Sequence, residues 1–279
     1  MKKIIIIFFT VILLNSCFPF NFTQSTEKNY AQLNEEDVEN IKDQIMNEIR
    51  KEILNEYFNQ ISEIEQKIIS IVNTFGDSVL GVSNYKYINK QYIESSTGSG
   101  VIYKYDKSQN TYYMITNEHV INDADKVRVV FEDLSAIDAS IVGKDANTDL
   151  AVIKFNSTRS LPIAELGDSD NISKGQFAIA IGNPLGFEFY GSVTVGHVSG
   201  VSREVPIDYQ DDGVIDWYLT LIQHDAAISP GNSGGGLFDI TGKLIGINNM
   251  KIVQDTVSDI GFAIPINIVK DIIAQIEEH

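Results

Sequence analysis

The chain has 279 residues, 43% hydrophobic and 21% charged, a globular mixture that excludes wholesale disorder and fibrous repeats. Its net charge of −17 and pI near 4.5 argue against a nucleic-acid partner, because a phosphate backbone is met by a basic face. One cysteine, Cys17, rules out an intramolecular disulfide. No Cys/His cluster has zinc spacing, so no metal and no cofactor is expected.

The N-terminus reads as an address. Lys2 and Lys3 form a positive start, and Ile4 to Leu14 is an apolar run interrupted by Thr10. A membrane-spanning helix needs about 20 apolar residues, so this shorter run fits a signal peptide over 1–16. Leu14-Asn15-Ser16-Cys17 resembles a bacterial lipobox, although Asn15 departs from the usual small or β-branched residue. The resemblance implies acylation of Cys17 and a lipid anchor in the bacterial cell membrane, on its extracytoplasmic side. Residues 17–34 then read as a polar spacer.

Residues 35–73 contain no Gly or Pro. Apolar side chains recur in steps of three or four at Val38, Ile41, Ile45, Ile49, Ile53, Tyr57, Ile61, Ile64, Ile68 and Ile71, which predicts one long amphipathic helix. Asn34 is placed to cap its start and Gly76 to end it. Two settings fit this helix equally: a self-associating coiled coil, or a helix lying on the following domain. Consecutive steps of four drift off a strict heptad.

After Thr74 the pattern becomes short Val, Ile, Tyr and Phe runs between Gly, Asn, Asp and Ser turns. Twelve strands are predicted, at 78–83, 99–104, 111–116, 127–132, 137–143, 149–155, 176–181, 192–200, 217–223, 235–239, 243–250 and 259–264. That spacing predicts an all-β core of barrels or sandwiches. Ile266, Val269, Ile272, Ile273 and Ile276 predict a short closing helix packed on the last sheet.

Three segments carry chemistry: Ile115-Thr116-Asn117-Glu118-His119-Val120, Asn147-Thr148-Asp149-Leu150, and Ser229-Pro230-Gly231-Asn232-Ser233-Gly234-Gly235. A serine hydroxyl is a weak nucleophile until a base takes its proton, and its oxyanion needs backbone N–H donors. Glycines around Ser233 let the chain turn sharply with no Cβ in a substrate's way. His119 is placed to act as the base. Asp149, heading an apolar run, is placed to fix the imidazole tautomer.

These segments resemble the HtrA/Deg family of trypsin-like serine proteases. The resemblance runs from about Ser78 to Asn267. It includes Gly98-Ser99-Gly100-Val101-Ile102, Leu166-Gly167-Asp168-Ser169-Asp170, Ala180-Ile181-Gly182-Asn183-Pro184-Leu185-Gly186, Gln223-His224-Asp225-Ala226-Ala227-Ile228, Gly246-Ile247-Asn248 and Gly261-Phe262-Ala263-Ile264-Pro265. It implies a chymotrypsin-like double six-stranded β-barrel over 75–277, with barrel one about 75–163 and barrel two about 164–265. It also implies a catalytic triad of His119, Asp149 and Ser233, and an oxyanion hole over Gly231, Asn232 and Ser233. Gly236 replaces the family's usual Pro, and Ser229 and Glu118 replace common Asn residues.

In this fold the residue six before the nucleophile helps set the pocket floor. Ala227 beside Ile228 therefore implies an apolar pocket for residues such as Val, Leu or Ala before the cut. His197 and His224 are read as structural, and the acidic run from Asp208 to Gly213 as a solvated turn. The expected function is a membrane-tethered endopeptidase cleaving unfolded or damaged proteins. The rival reading is a non-catalytic chaperone or binding module on the same scaffold. The family also implies a homotrimer, and from the length of 279 residues no PDZ domain is expected after the protease.

Overall fold

The computed structural model describes residues 35–184, 186–207, 215–249 and 260–278. The signal and anchor segment with Cys17, the Asn34 cap, the whole acidic run from Asp208 to Gly213 and the residues from Met250 to Asp259 lie outside them.

Helix α1 runs from Glu35 to Phe75, two residues past its predicted end, and a 3-10 turn at Gly76–Ser78 follows it. The stretch to Phe58 forms one compact unit, and Asn59 onward forms the other. Within the first, Ile41, Ile45, Ile49, Ile53, Leu54, Tyr57 and Phe58 are all exposed. Within the second, Ile71 is buried, and the Phe75 ring stacks on Phe238 at 6.4 Å. No helix among the described residues is long and apolar enough to cross a membrane.

All twelve predicted strands form. They are β1 Val79–Ile88, β2 Gln91–Asp106, β3 Thr111–Thr116, β4 Lys126–Val130, β5 Ala136–Asp145, β6 Leu150–Asn156, β7 Phe177–Gly182, β8 Ser192–Ile207, β9 Trp217–His224, β10 Gly236–Phe238, β11 Leu244–Asn248 and β12 Gly261–Pro265. They close into two six-stranded antiparallel barrels, in the orders β1-β2-β3-β6-β5-β4 and β7-β8-β9-β12-β11-β10.

The period-two alternation of a strand explains the apolar runs. On β6, Ala151, Ile153 and Phe155 fill barrel one, while Leu150 and Val152 join a cluster shared by both barrels. On β7, Ala178 and Ala180 fill barrel two, while Ile179 and Ile181 enter the shared cluster. Strands buried on both faces carry no polar alternation.

Strands β1, β2 and β8 run well beyond their predicted extents, and the last helix packs more widely than predicted. Strands β1 and β2 run on as a ribbon around Asn89 and Lys90, whose φ values of 52° and 66° suit a tight hairpin turn. Tyr87 and Tyr92 pair across that ribbon with ring centroids 5.0 Å apart. Strand β8 likewise continues to Ile207 beyond its predicted end. Helix α3, Ile266–Glu277, packs on β5 and β6 as well as on β11 and β12, so it spans both barrels rather than the last sheet alone. A Cβ at Gly143 on β5 would lie 2.6 Å from Ile276 Cγ2, which fixes how closely α3 approaches barrel one.

Candidate active site

Barrel one brings His119 and Asp149 together. Residues Glu118–Ile121 form a single helical turn, α2, at the end of β3. Asp149 immediately precedes β6, which pairs directly with β3. Two bonds lock the main chains: Glu118 N–H donates to the Asp149 carbonyl at 3.1 Å, and Asn117 Nδ2 donates to the same oxygen at 2.8 Å. Asp149 accommodates this with φ of 56°, a left-handed conformation that Asp tolerates better than most residues.

The Asp149 carboxylate is 5% exposed and is met by three donors. His119 N–H reaches Oδ1 at 2.9 Å; His119 Nδ1, at 2.6 Å, and Asn249 Nδ2, at 2.7 Å, reach Oδ2. An ionised carboxylate only accepts, so Nδ1 carries the proton and Nε2 is left with a lone pair. That tautomer is the one a general base needs.

Barrel two supplies the serine loop. Gly231 and Gly234 have φ of 101° and 83°, conformations that favour glycine. A Cβ at Gly234 would lie 2.1 Å from the Ser99 carbonyl oxygen and 2.5 Å from Thr116 Oγ1, so no side chain fits there. Gly234 N–H donates to the Asn248 carbonyl at 3.0 Å, and Asn248 N–H donates to the Gly235 carbonyl at 2.9 Å. Across the barrels, Ser99 N–H donates to the Ser233 carbonyl at 2.8 Å. Ser233 itself is 4% exposed and Asn232 6% exposed. The serine loop is thus held against Ser99 in the middle of β2 and against the end of β3, from which His119 follows.

Glu118 opens the helical turn. On the helical turn its carboxylate is buried and takes Lys144 Nζ at 2.7 Å, and the same Nζ also donates to Asn122 Oδ1 at 3.1 Å. Ala227 is exposed and its carbonyl accepts from Thr194 Oγ1 at 2.7 Å, while Ile228 is half-buried against the barrel-two core. The His197 ring lies tilted by 34° against Phe177, with centroids 4.9 Å apart. His224 is fully buried, neither ring nitrogen has a hydrogen-bond partner of good geometry, and its ring lies against Gly261. Burial pushes its pKa down to about 4, against weaker opposing pulls from the Ala226 backbone and the Asp225 charge.

Asn249 was not singled out in the sequence. Its approach to Asp149 joins residues 100 positions apart, and one asparagine beyond a strand end gives no local pattern to find.

The Trypsin-like peptidase domain family matches residues 98–247. Among curated relatives, Serine protease HtrA-like of Staphylococcus aureus (strain MRSA252) is 40% identical over 185 residues, 66% of this chain and 24% of that protein. Serine protease Do-like HtrA of Bacillus subtilis (strain 168) is 40% identical over 223 residues, 76% of this chain and 49% of that protein. The chain thus spans about a quarter to a half of the length of these relatives. Among solved structures, the HtrA-type protease AlgW with tripeptide has a TM-score of 0.60 at 37% identity, covering 75% of this chain and 63% of that one. The serine endoprotease from Yersinia pestis has a TM-score of 0.59 at 32% identity, covering 74% and 65%.

Proposed function

The chain belongs to the trypsin-like peptidase family, and from that premise we propose that it is a serine endopeptidase working through an acyl-enzyme. Ser233 Oγ attacks the scissile carbonyl while His119 Nε2 takes the hydroxyl proton. The Gly231 and Ser233 amides, on either side of Asn232, stabilise the oxyanion. As the intermediate collapses, His119 returns the proton to the leaving amine. Water, deprotonated by the same nitrogen, then releases the acyl group. Asp149 keeps the imidazole in its tautomer and offsets its positive charge.

The observation that carries this reading is the 2.6 Å contact between His119 Nδ1 and Asp149 Oδ2, on a barrel whose strand β2 also holds the serine loop. Ser233→Ala is expected to abolish casein cleavage and labelling by a fluorophosphonate probe. Labelling that survives the substitution overturns the assignment.

The substrates in this reading are unfolded or damaged proteins. Ala227 and Ile228 place no acid at the pocket floor, which favours an apolar side chain before the cut. The enzyme works on the extracytoplasmic face of a bacterial membrane, anchored by acylated Cys17. A mature mass without lipid at Cys17 refutes the anchor. A homotrimer is supported by the exposed apolar residues of α1 between Ile41 and Phe58, which a water-facing helix does not need. A monomer in light scattering at micromolar concentration refutes it.

A further inference from the structure

Ser99 lies in barrel one, buried in the middle of β2, and the mechanism above assigns it no task. Its hydroxyl makes three bonds. Oγ donates to the Gly231 carbonyl at 2.8 Å and accepts from Asn183 N–H at 2.9 Å and Asn183 Nδ2 at 3.1 Å. The direction of each bond is forced. Asn183 N–H only donates, and its side-chain amide is oriented by Gly191 N–H, which donates to Asn183 Oδ1 at 3.0 Å. Both Oγ lone pairs are therefore taken, and the one proton has a single acceptor, the Gly231 carbonyl.

That carbonyl belongs to the peptide between Gly231 and Asn232. The other end of the same peptide is also held, because Asn232 N–H donates to the Ser229 carbonyl at 2.9 Å. Two residues further on, Ser99 N–H holds the Ser233 carbonyl at 2.8 Å. One residue of barrel one thus grips both residues whose amides would stabilise the oxyanion. Gly231, at φ of 101°, has the freedom of a glycine, so its neighbouring peptide planes need an external anchor.

We propose that Ser99 is a positioning residue for the oxyanion hole: its hydroxyl, locked by Asn183, pins the Gly231–Asn232 peptide so that the amides of Gly231 and Ser233 converge. The proposal rests on the serine-peptidase reading. It deepens that reading by making the competence of the hole depend on Asn183, which stands in the connection between β7 and β8.

The test compares the wild type with Ser99→Ala, Asn183→Ala and the double variant, using a chromogenic peptide and a peptide aldehyde. The aldehyde forms a tetrahedral oxyanion adduct on a nucleophilic serine. Ser99→Ala is expected to lower kcat about tenfold or more with KM within about twofold, as loss of aligned oxyanion donors does. Aldehyde affinity should weaken by the same factor, and binding of an uncleaved product peptide should not change. A merely structural role would lower kcat through a smaller active fraction but leave aldehyde affinity unchanged. Asn183→Ala should lower kcat less, and the double variant should cost no more than Ser99→Ala, since Asn183 acts through Ser99. If Ser99→Ala does not fold, Asn183→Ala decides on the same two readouts. A folded Ser99→Ala with wild-type kcat, or additive losses, overturns the proposal. A wild type that neither cleaves nor is labelled by fluorophosphonate instead overturns the function on which it rests.

Discussion

His224 offers a direct test of how burial sets the acid limit of the fold. The side chain is fully buried, and its pKa falls from 6.5 to about 4, chiefly because burial disfavours the charged ring. Above pH 6.5 the imidazole is neutral whether the chain is folded or not, so its contribution is flat. Below pH 6.5 the unfolded chain binds a proton that the folded chain refuses until about pH 4. Stability is therefore full above 6.5 and is lost as pH falls through that window. The gap corresponds to about 3 kcal/mol, most of it gone by pH 4.5. Asp106, Asp133 and Asp168 also have lowered pKa values, led by hydrogen bonds from Ser108, Ser135 and Asn267, but they titrate below their ordinary 3.8 and leave this window to the histidine. The perturbation is His224→Phe, which keeps a flat ring against Gly261 and removes both unpartnered nitrogens. Urea denaturation at pH 7.5 and pH 4.5 measures the loss in each protein. The variant should lose about 2.5 kcal/mol less than the wild type between the two pH values. Equal losses, within about 0.5 kcal/mol, would refute the reasoning.

Other substitutions probe the site itself. Asn249→Ala removes one of three donors to the Asp149 carboxylate and should lower kcat about tenfold with little change in KM, read by peptide hydrolysis. Lys144→Met leaves the buried Glu118 without its cation. It should cost about 2 kcal/mol in chemical denaturation, tempered because Lys144 itself is partly exposed; an unchanged midpoint refutes the pairing as a stabilising one.

The core was legible because strands buried on both faces leave continuous apolar runs in the sequence. Strand β7 and the first four residues of β6, Leu150 to Ile153, are covered on both faces and read as unbroken apolar runs. The arms of the β1–β2 ribbon were not legible, since Tyr85 to Ile93 carry polar and apolar residues without a face that must be buried. The turn that carries Glu118 and His119 gives no sequence signal, because a helical turn of four residues is too short to impose a period. For α3 the stripe announced a buried face. What the stripe could not say is that the face would meet two barrels at once, because the partner Gly143 is far away in the chain. The His, Asp and Ser segments stood out through their glycines and neighbours. Asn249 did not, because its contact to Asp149 is a single long-range bond.

The division of labour between the barrels gives those long-range bonds their weight. Barrel one carries His119 and Asp149, and barrel two carries Ser233, so the proposed chemistry depends on how one barrel is seated on the other. The shared cluster of Val79, Ile115, Val152, Ile181, Phe238 and Ile247 supplies cohesion, but apolar contact is non-directional. Direction comes from a few buried polar bonds that cross between the barrels: Asn249 to Asp149, and Ser99 to Gly231, Ser233 and Asn183. Each is short, and the Ser99 hydroxyl has its donor and both acceptor sites filled. A slide of the barrels by even 1 Å would strand several of these groups unpaired in a dry interior, at about 1–3 kcal/mol each. The apolar cluster thus sets that the barrels meet, and the polar stitches set where.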